Sequence, residues 1–120
     1  MSMERDLRVL LETIGHPVIW GMFGKDVSFP RISLQRVGTV TAYSLKGRSN
    51  LEAARVQVNI DSLSYGALIS LGPQVSNLLT EYSGGSVVRC KELSRRDGSS
   101  ETGGEVVRRQ MLDFQVRYRA

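Results

Sequence analysis

The chain has one cysteine, Cys90, as a candidate nucleophile and one histidine, His16, as a candidate for proton transfer. Cys90 lies in Val87-Val88-Arg89-Cys90-Lys91, where strand alternation makes it a small buried apolar residue. His16 precedes Pro17 in a turn-like stretch remote from Cys90 in sequence, and no pattern joins the two. A lone cysteine forms no intrachain disulfide, and one histidine with one cysteine does not make a zinc ligand set. Gly21-Met22-Phe23-Gly24-Lys25 ends in Gly-Lys, but Asp26 follows and the first glycine is too close for a phosphate-binding loop. Asp61, Ser62 and Ser64 stand between a strand pattern and a helix pattern. Such side chains accept hydrogen bonds from free helix N–H groups, so they read as helix-entry chemistry. The other carboxylates are scattered, with no pairing that calls for acid–base work. The expectation is a protein that is not an enzyme and carries no cofactor or metal.

The remaining chemistry is charge. The formal net charge is +4, and the stretch from Arg89 onward holds most of the excess. Arg95, Arg96, Asp97, Glu101, Arg108 and Arg109 lie in or beside the polar run Ser94–Gly104 and are the candidate partner-binding residues. A basic region of this kind serves a nucleic acid, an acidic partner or a solvated edge, and the interspersed acids suit the last. A small basic nucleic-acid-binding α+β domain is the alternative, with salt-dependent binding through Arg95, Arg96, Arg108 and Arg109. Against it, Phe114 and Tyr118 share a face with Val116, which suits a core better than a stacking platform.

Several strand patterns and two helix patterns must position these groups. Ala54, Val56, Val58 and Ile60 alternate with Arg55, Gln57, Asn59 and Asp61, the period of a strand with one buried face. After Asp61–Ser64, the residues Leu68, Leu71, Val75, Leu78, Leu79 and Tyr82 recur at helix spacing, predicting a helix over about 65–82. Gly72-Pro73 inside it predicts a kink or two short helices, and Gly84-Gly85 ends it. Leu7, Leu10, Leu11 and Ile14 predict a first helix over 4–14, with Gly15 and Pro17 as stop signals. Val18–Trp20 is a short strand or an extended link, and Trp20, Met22 and Phe23 are candidates for the core or a subunit contact, the core being favoured for Trp20. A strand follows over 31–40, with Gly38 marking a bulge where Val37 and Val40 lose parity. Lys46–Asn50 reads as a polar turn. The last strands cover Ser86–Leu93 and Val106–Arg119, with Phe114, Val116 and Tyr118 on one face and Gln115, Arg117 and Arg119 on the other. Ser94–Gly104 between them is expected to be a mobile loop. The order is α-β-β-β-α-β-β, and the economical architecture is α+β: a mostly antiparallel sheet of four to five strands with both helices on one face.

At 120 residues, 41% hydrophobic and 23% charged, the chain is expected to form one soluble domain spanning 1–120. No apolar run reaches membrane-spanning length, and the N-terminal stretch lacks the apolar core of a signal peptide, so an intracellular product is expected.

The wording of several segments resembles one family. Pro30-Arg31-Ile32-Ser33-Leu34-Gln35-Arg36-Val37-Gly38, then Ala54–Ile60 followed by Ser64-Tyr65-Gly66 and a leucine-spaced helix, then Asp113-Phe114-Gln115-Val116-Arg117-Tyr118-Arg119, are similar in order and spacing to the tail terminators of long-tailed bacteriophages. These tail-completion, or head–tail joining, proteins also occur in prophages and gene transfer agents. Gly66-Ala67-Leu68 and Leu71-Gly72-Pro73 depart from the family's wording in the second helix. The resemblance implies a homo-hexameric ring at the head-proximal end of the virion tail. That ring stops polymerisation of the major tail tube protein and offers its other side to the head–tail connector or stopper protein. DNA would pass through the lumen, no membrane is involved, and assembly would take place in the bacterial cytoplasm. A polar hairpin loop at Ser94–Gly104, ordered on assembly, would then be a joining device.

Overall fold

The computed structural model describes the backbone of residues 2–21, 29–44, 47–102 and 105–119, and the side chains of these except at 40–51 and 99–105. Met22, Phe23, Gly24, Leu45, Lys46, Gly103 and Gly104 lie outside the described residues. The elements are α1 (Met3–Glu12), β1 (Val18–Trp20), β2 (Arg31–Ser44), β3 (Gly47–Ser62), α2 (Tyr65–Leu79), β4 (Val87–Thr102) and β5 (Glu105–Arg119).

The strands form one five-stranded sheet in the order β1-β2-β3-β5-β4. Every pairing is antiparallel except β1 with β2. Strand alternation sends one row of side chains toward both helices. Leu34, Val58 and Leu112 lie abreast on β2, β3 and β5, as do Val56 with Phe114 and Ala54 with Val116. These join Leu7 and Leu11 of α1 and Leu68, Val75 and Leu79 of α2 in one buried cluster. The expected α+β arrangement, with both helices on one face, is the one observed.

Local chemistry accounts for α1. The Ser2 hydroxyl caps it by accepting the Arg5 N–H at 3.2 Å, and Glu4 and Asp6 sit in its first turn, where the helix dipole favours acids. Three polar contacts lock α1 to the sheet. The Trp20 indole donates to the Glu4 carbonyl at 2.8 Å, Arg36 pairs with Glu4 at 2.7 Å, and the Asp6 carboxylate accepts the Ser86 N–H at 2.8 Å. Gly85, beside that last bond, has φ +55, and a Cβ there would strike the Asp6 carboxylate. Trp20 packs against the core, as favoured.

The second helix is one continuous helix of 15 residues through Pro73, not two short ones, and Leu71 and Gly72 before the proline and Val75 and Ser76 after it are all buried. It stops at Leu79, short of Tyr82. Thr80 is extended, and Glu81 adopts φ 62 while its N–H bonds the Cys90 carbonyl at 2.9 Å. Gly84 therefore belongs to the turn opening β4, bonded to Val87.

The hairpins are longer than composition suggests. The expected loop 94–104 is strand through Thr102, and β5 begins at Glu105, with Ser100 opposite Val107 and Glu101 opposite Val106. Backbone pairing satisfies these polar residues in a ladder that needs no apolar face. Likewise the expected turn 46–50 is strand from Gly47, and β3 runs on to Ser62. The expected bulge is present, with the register shifting between Arg36 and Gly38, and further shifts fall between Thr41 and Tyr43, Val87 and Arg89, and Glu92 and Ser94. The β2–β3 tip extends beyond Leu51–Arg119 and the β4–β5 tip beyond Ser62–Arg108, at opposite ends of a body measuring 56 × 24 × 22 Å.

Candidate functional site

The face of the sheet away from the helices carries the alternate residues, and it is organised around two carboxylates. Asp61 lies directly between Arg31 on β2 and Arg109 on β5, its register partners on either side. Arg109 makes a two-pronged contact with it, Nε to Oδ1 at 2.6 Å and Nη2 to Oδ2 at 3.0 Å, and Arg31 Nε stands 3.7 Å away. Asp113, two rows along, accepts from Ser94 Oγ at 3.0 Å and Arg55 Nη2 at 3.3 Å, with Arg96 at 3.6 Å. Both aspartates are only 3% exposed. The fork geometry of guanidinium suits carboxylates held this way. The hydrogen bond from Arg109 to Asp61 holds the guanidinium above its ordinary pKa, outweighing its partial desolvation.

Asp61 is therefore an ion-pair centre. It takes no part in the helix entry assigned to it from the sequence. The entry is made by Ser62, whose hydroxyl accepts the Ser64 N–H at 3.1 Å, while Ser64 makes no side-chain cap.

Toward the other end of this face the charge is unbalanced. Arg89 of β4 is directly opposite Arg117 of β5, and Lys91 is opposite Gln115. The four side chains line a shallow cleft of about 210 Å³. Like charges directly opposite in a sheet are mildly destabilising. Arg89 reaches Glu81 at 3.0 Å, whereas Lys91, Arg117 and Arg119 have no ion pair among the described residues. On this face Val37 of β2 and Leu93 of β4, each beside a register shift, are 55% and 46% exposed. Both line one cleft of about 400 Å³ together with Ala53, Arg55 and Gln115.

Strand alternation divides the six residues singled out from the sequence. Arg96 and Arg109 are on the outer face, on Asp113 and Asp61 respectively. Arg95 faces α2, bonding Glu92 at 2.9 Å and Ser76 at 3.1 Å. Asp97 accepts from the Tyr65 hydroxyl and from Gln110, each at 3.3 Å, and Arg108 lies over the Tyr65 ring at 5.8 Å. Glu101 is on the last ladder pairs of β4–β5, and its side chain is outside those described. The four arginines of the nucleic-acid alternative thus make no single surface. Asp61, Asp113, Arg55, Lys91 and Arg117 were absent from that set, although alternation had already placed Asp61, Arg55 and Arg117 on polar strand faces.

Cys90 is fully buried on the helix side, and burial pushes its thiol up to about 12. It stays protonated at neutral pH and is not poised for attack. Tyr118 is also raised, by burial and by donating its hydroxyl to Glu52 at 2.8 Å. Among the described residues no three metal-ligating side chains converge, and no helix is long and apolar enough to cross a membrane.

No protein-family model matches the chain, and no curated protein matches it. A solved structure described as the virion of a native gene transfer agent particle contains a chain of similar fold. The identity is 18% and the TM-score 0.69, and the match covers 93% of this chain and 85% of that one. A likeness at this identity is one of fold.

Proposed function

We propose that this protein is a structural component of a virion, and specifically a tail terminator. In that reading it forms a ring on the head-proximal end of the tail tube, ends polymerisation of the tube protein and joins the tail to the head connector or stopper. The carrying observation is the likeness in fold, over nearly the whole chain, to a chain of a gene transfer agent particle. It agrees with the order of the sequence segments that resemble tail terminators. The architecture suits the task. A subunit with hairpin tips at opposite ends, and a charged sheet face free of helices, has separate surfaces for its neighbours. Heterologous contacts of that kind close into rings when the rotation closes. Native mass spectrometry of the purified protein tests the ring. A single closed assembly, six copies in this reading, is expected, and a monomer at every concentration contradicts it.

A further inference from the structure

The positive charge of the chain is gathered on one surface. Strand register places Arg31 and Arg109 beside Asp61 on the outer face of the sheet, and Arg55 and Arg96 reach Asp113 there. Arg89, Lys91, Arg117 and Arg119 follow toward the far end of the same face. Against these eight cations the described residues set Asp61 and Asp113, with Glu81 at the rim on Arg89. The excess of five is larger than the +4 of the whole chain. The carboxylates are also sunk where the cations are not. Asp61 and Asp113 are each 3% exposed, whereas the side chains of Arg55, Arg96 and Arg109 that pair with them are 55%, 58% and 45% exposed. Lys91, Arg117 and Arg119 have no ion pair among the described residues.

The neutral part of the face narrows what it fits. Ser33, Gln35, Gln57, Asn59, Ser94 and Gln115 occupy the rows between the charges. None of the described outer strand positions is aromatic. Phe114 and Tyr118 belong to the core on the helix side, and Phe29, ahead of β2, lies under Arg31 at 4.4 Å. The exposed aliphatic residues Val37 and Leu93 stand on β2 and β4, to either side of the central β3 and β5. The core of a protein–protein interface is depleted in charge and enriched in aromatic residues, and this face is the reverse. Single-stranded nucleic acid is held on aromatic stacking platforms, which these strands lack. A positive surface rich in amides and hydroxyls matches the phosphates and sugars of a double helix, whose bases stay stacked on each other.

We propose that the outer sheet face binds the phosphate backbone of a nucleic-acid duplex, with Lys91, Arg117 and Arg119 as the main contacts and Arg89, Arg55 and Arg96 around them. Arg95 and Arg108 take no part, since Arg95 bonds Ser76 of α2 and Arg108 lies over the Tyr65 ring. Phosphate contacts carry no sequence information, so binding is indifferent to sequence. The inference does not rest on the ring reading.

Fluorescence anisotropy with DNA and RNA duplexes of one mixed sequence tests it. Three phosphate contacts give a slope of about −2.7 in log affinity against log salt, a loss of about 40-fold between about 50 and 200 mM. Lys91→Gln/Arg117→Gln is expected to flatten the slope to about −0.9 and to weaken binding at low salt. Arg5→Gln/Arg8→Gln removes the same charge from α1 and is expected to leave the slope unchanged. Circular dichroism and thermal melting confirm that both variants fold. Binding of either duplex with this pattern supports the proposal, and the tighter of the two names the source. No duplex binding at about 50 mM salt overturns it. Equal losses in the two variants overturn it as well, because net charge and not a face would then be responsible. Tighter binding of an oligothymidylate than of either duplex also contradicts it, and capture of poly-glutamate without duplex gives the face to an acidic protein. A ring that ignores duplex overturns this inference alone, and a monomer that binds duplex through Lys91 and Arg117 overturns the ring alone.

Discussion

The two faces of one sheet follow different rules. On the helix side, Leu34, Val58 and Leu112 run unbroken across three strands, and burial alone orders them. On the outer side, the corresponding rows pair arginine with aspartate around Asp61 and Asp113 and leave Lys91 and Arg117 without carboxylates among the described residues. The helix side is complete within the chain. The outer side is complete near Asp61 and Asp113 and incomplete toward Arg117. The chain thus separates the surface that makes the fold from a charged surface that the fold does not need.

Truncating the helix side should cost most. Phe114→Ala removes a ring that is 1% exposed and is expected to lower the unfolding free energy by about 3–5 kcal/mol, read from urea denaturation. Breaking an outer clamp should cost less. Asp61→Ala leaves Arg109 and Arg31 without their shared carboxylate, and because Arg109 is nearly half exposed the loss is set at about 1–3 kcal/mol. An Asp61→Ala/Arg109→Ala double mutant should lose less than the sum of the single changes. An additive result would place the clamp outside the stability of the fold.

Alkaline pH probes the helix side alone. The Cys90 thiol is raised from 9.0 to about 12 in the folded chain, so the folded state holds its proton more tightly than the unfolded state. That contribution is fully present below pH 9 and is lost as pH rises toward 12. Tyr118, also raised, acts in the same direction. Unfolding free energy should fall above pH 9, and Cys90→Ala should flatten part of the fall. A Cys90→Ala curve parallel to wild type would contradict the burial. The smallest effect belongs to the basic end. Arg117→Gln relieves the opposition with Arg89 and should change stability by no more than about 0.5 kcal/mol.

Parity was legible in the sequence, and register was not. Val56, Val58 and Ile60, and again Phe114, Val116 and Tyr118, announce their buried face because a half-buried strand repeats every two residues. Gly38 marked its bulge, and the stripe of α1 was plain. The extent of the hairpins was hidden, because Ser94–Thr102 pairs through its backbone and needs no hydrophobic signal. The clamp was hidden because Asp61 and Arg109 are 48 positions apart and meet only through the β3–β5 ladder. The joint exposure of Val37 and Leu93 was hidden for the same reason.

The central claim, that this chain ends a tail tube, is tested most directly by electron microscopy of particles made without its gene. Tails longer than normal and unattached to heads are predicted, with normal particles returning when the gene is supplied in trans. Intact particles with tails of normal length in its absence would contradict the account.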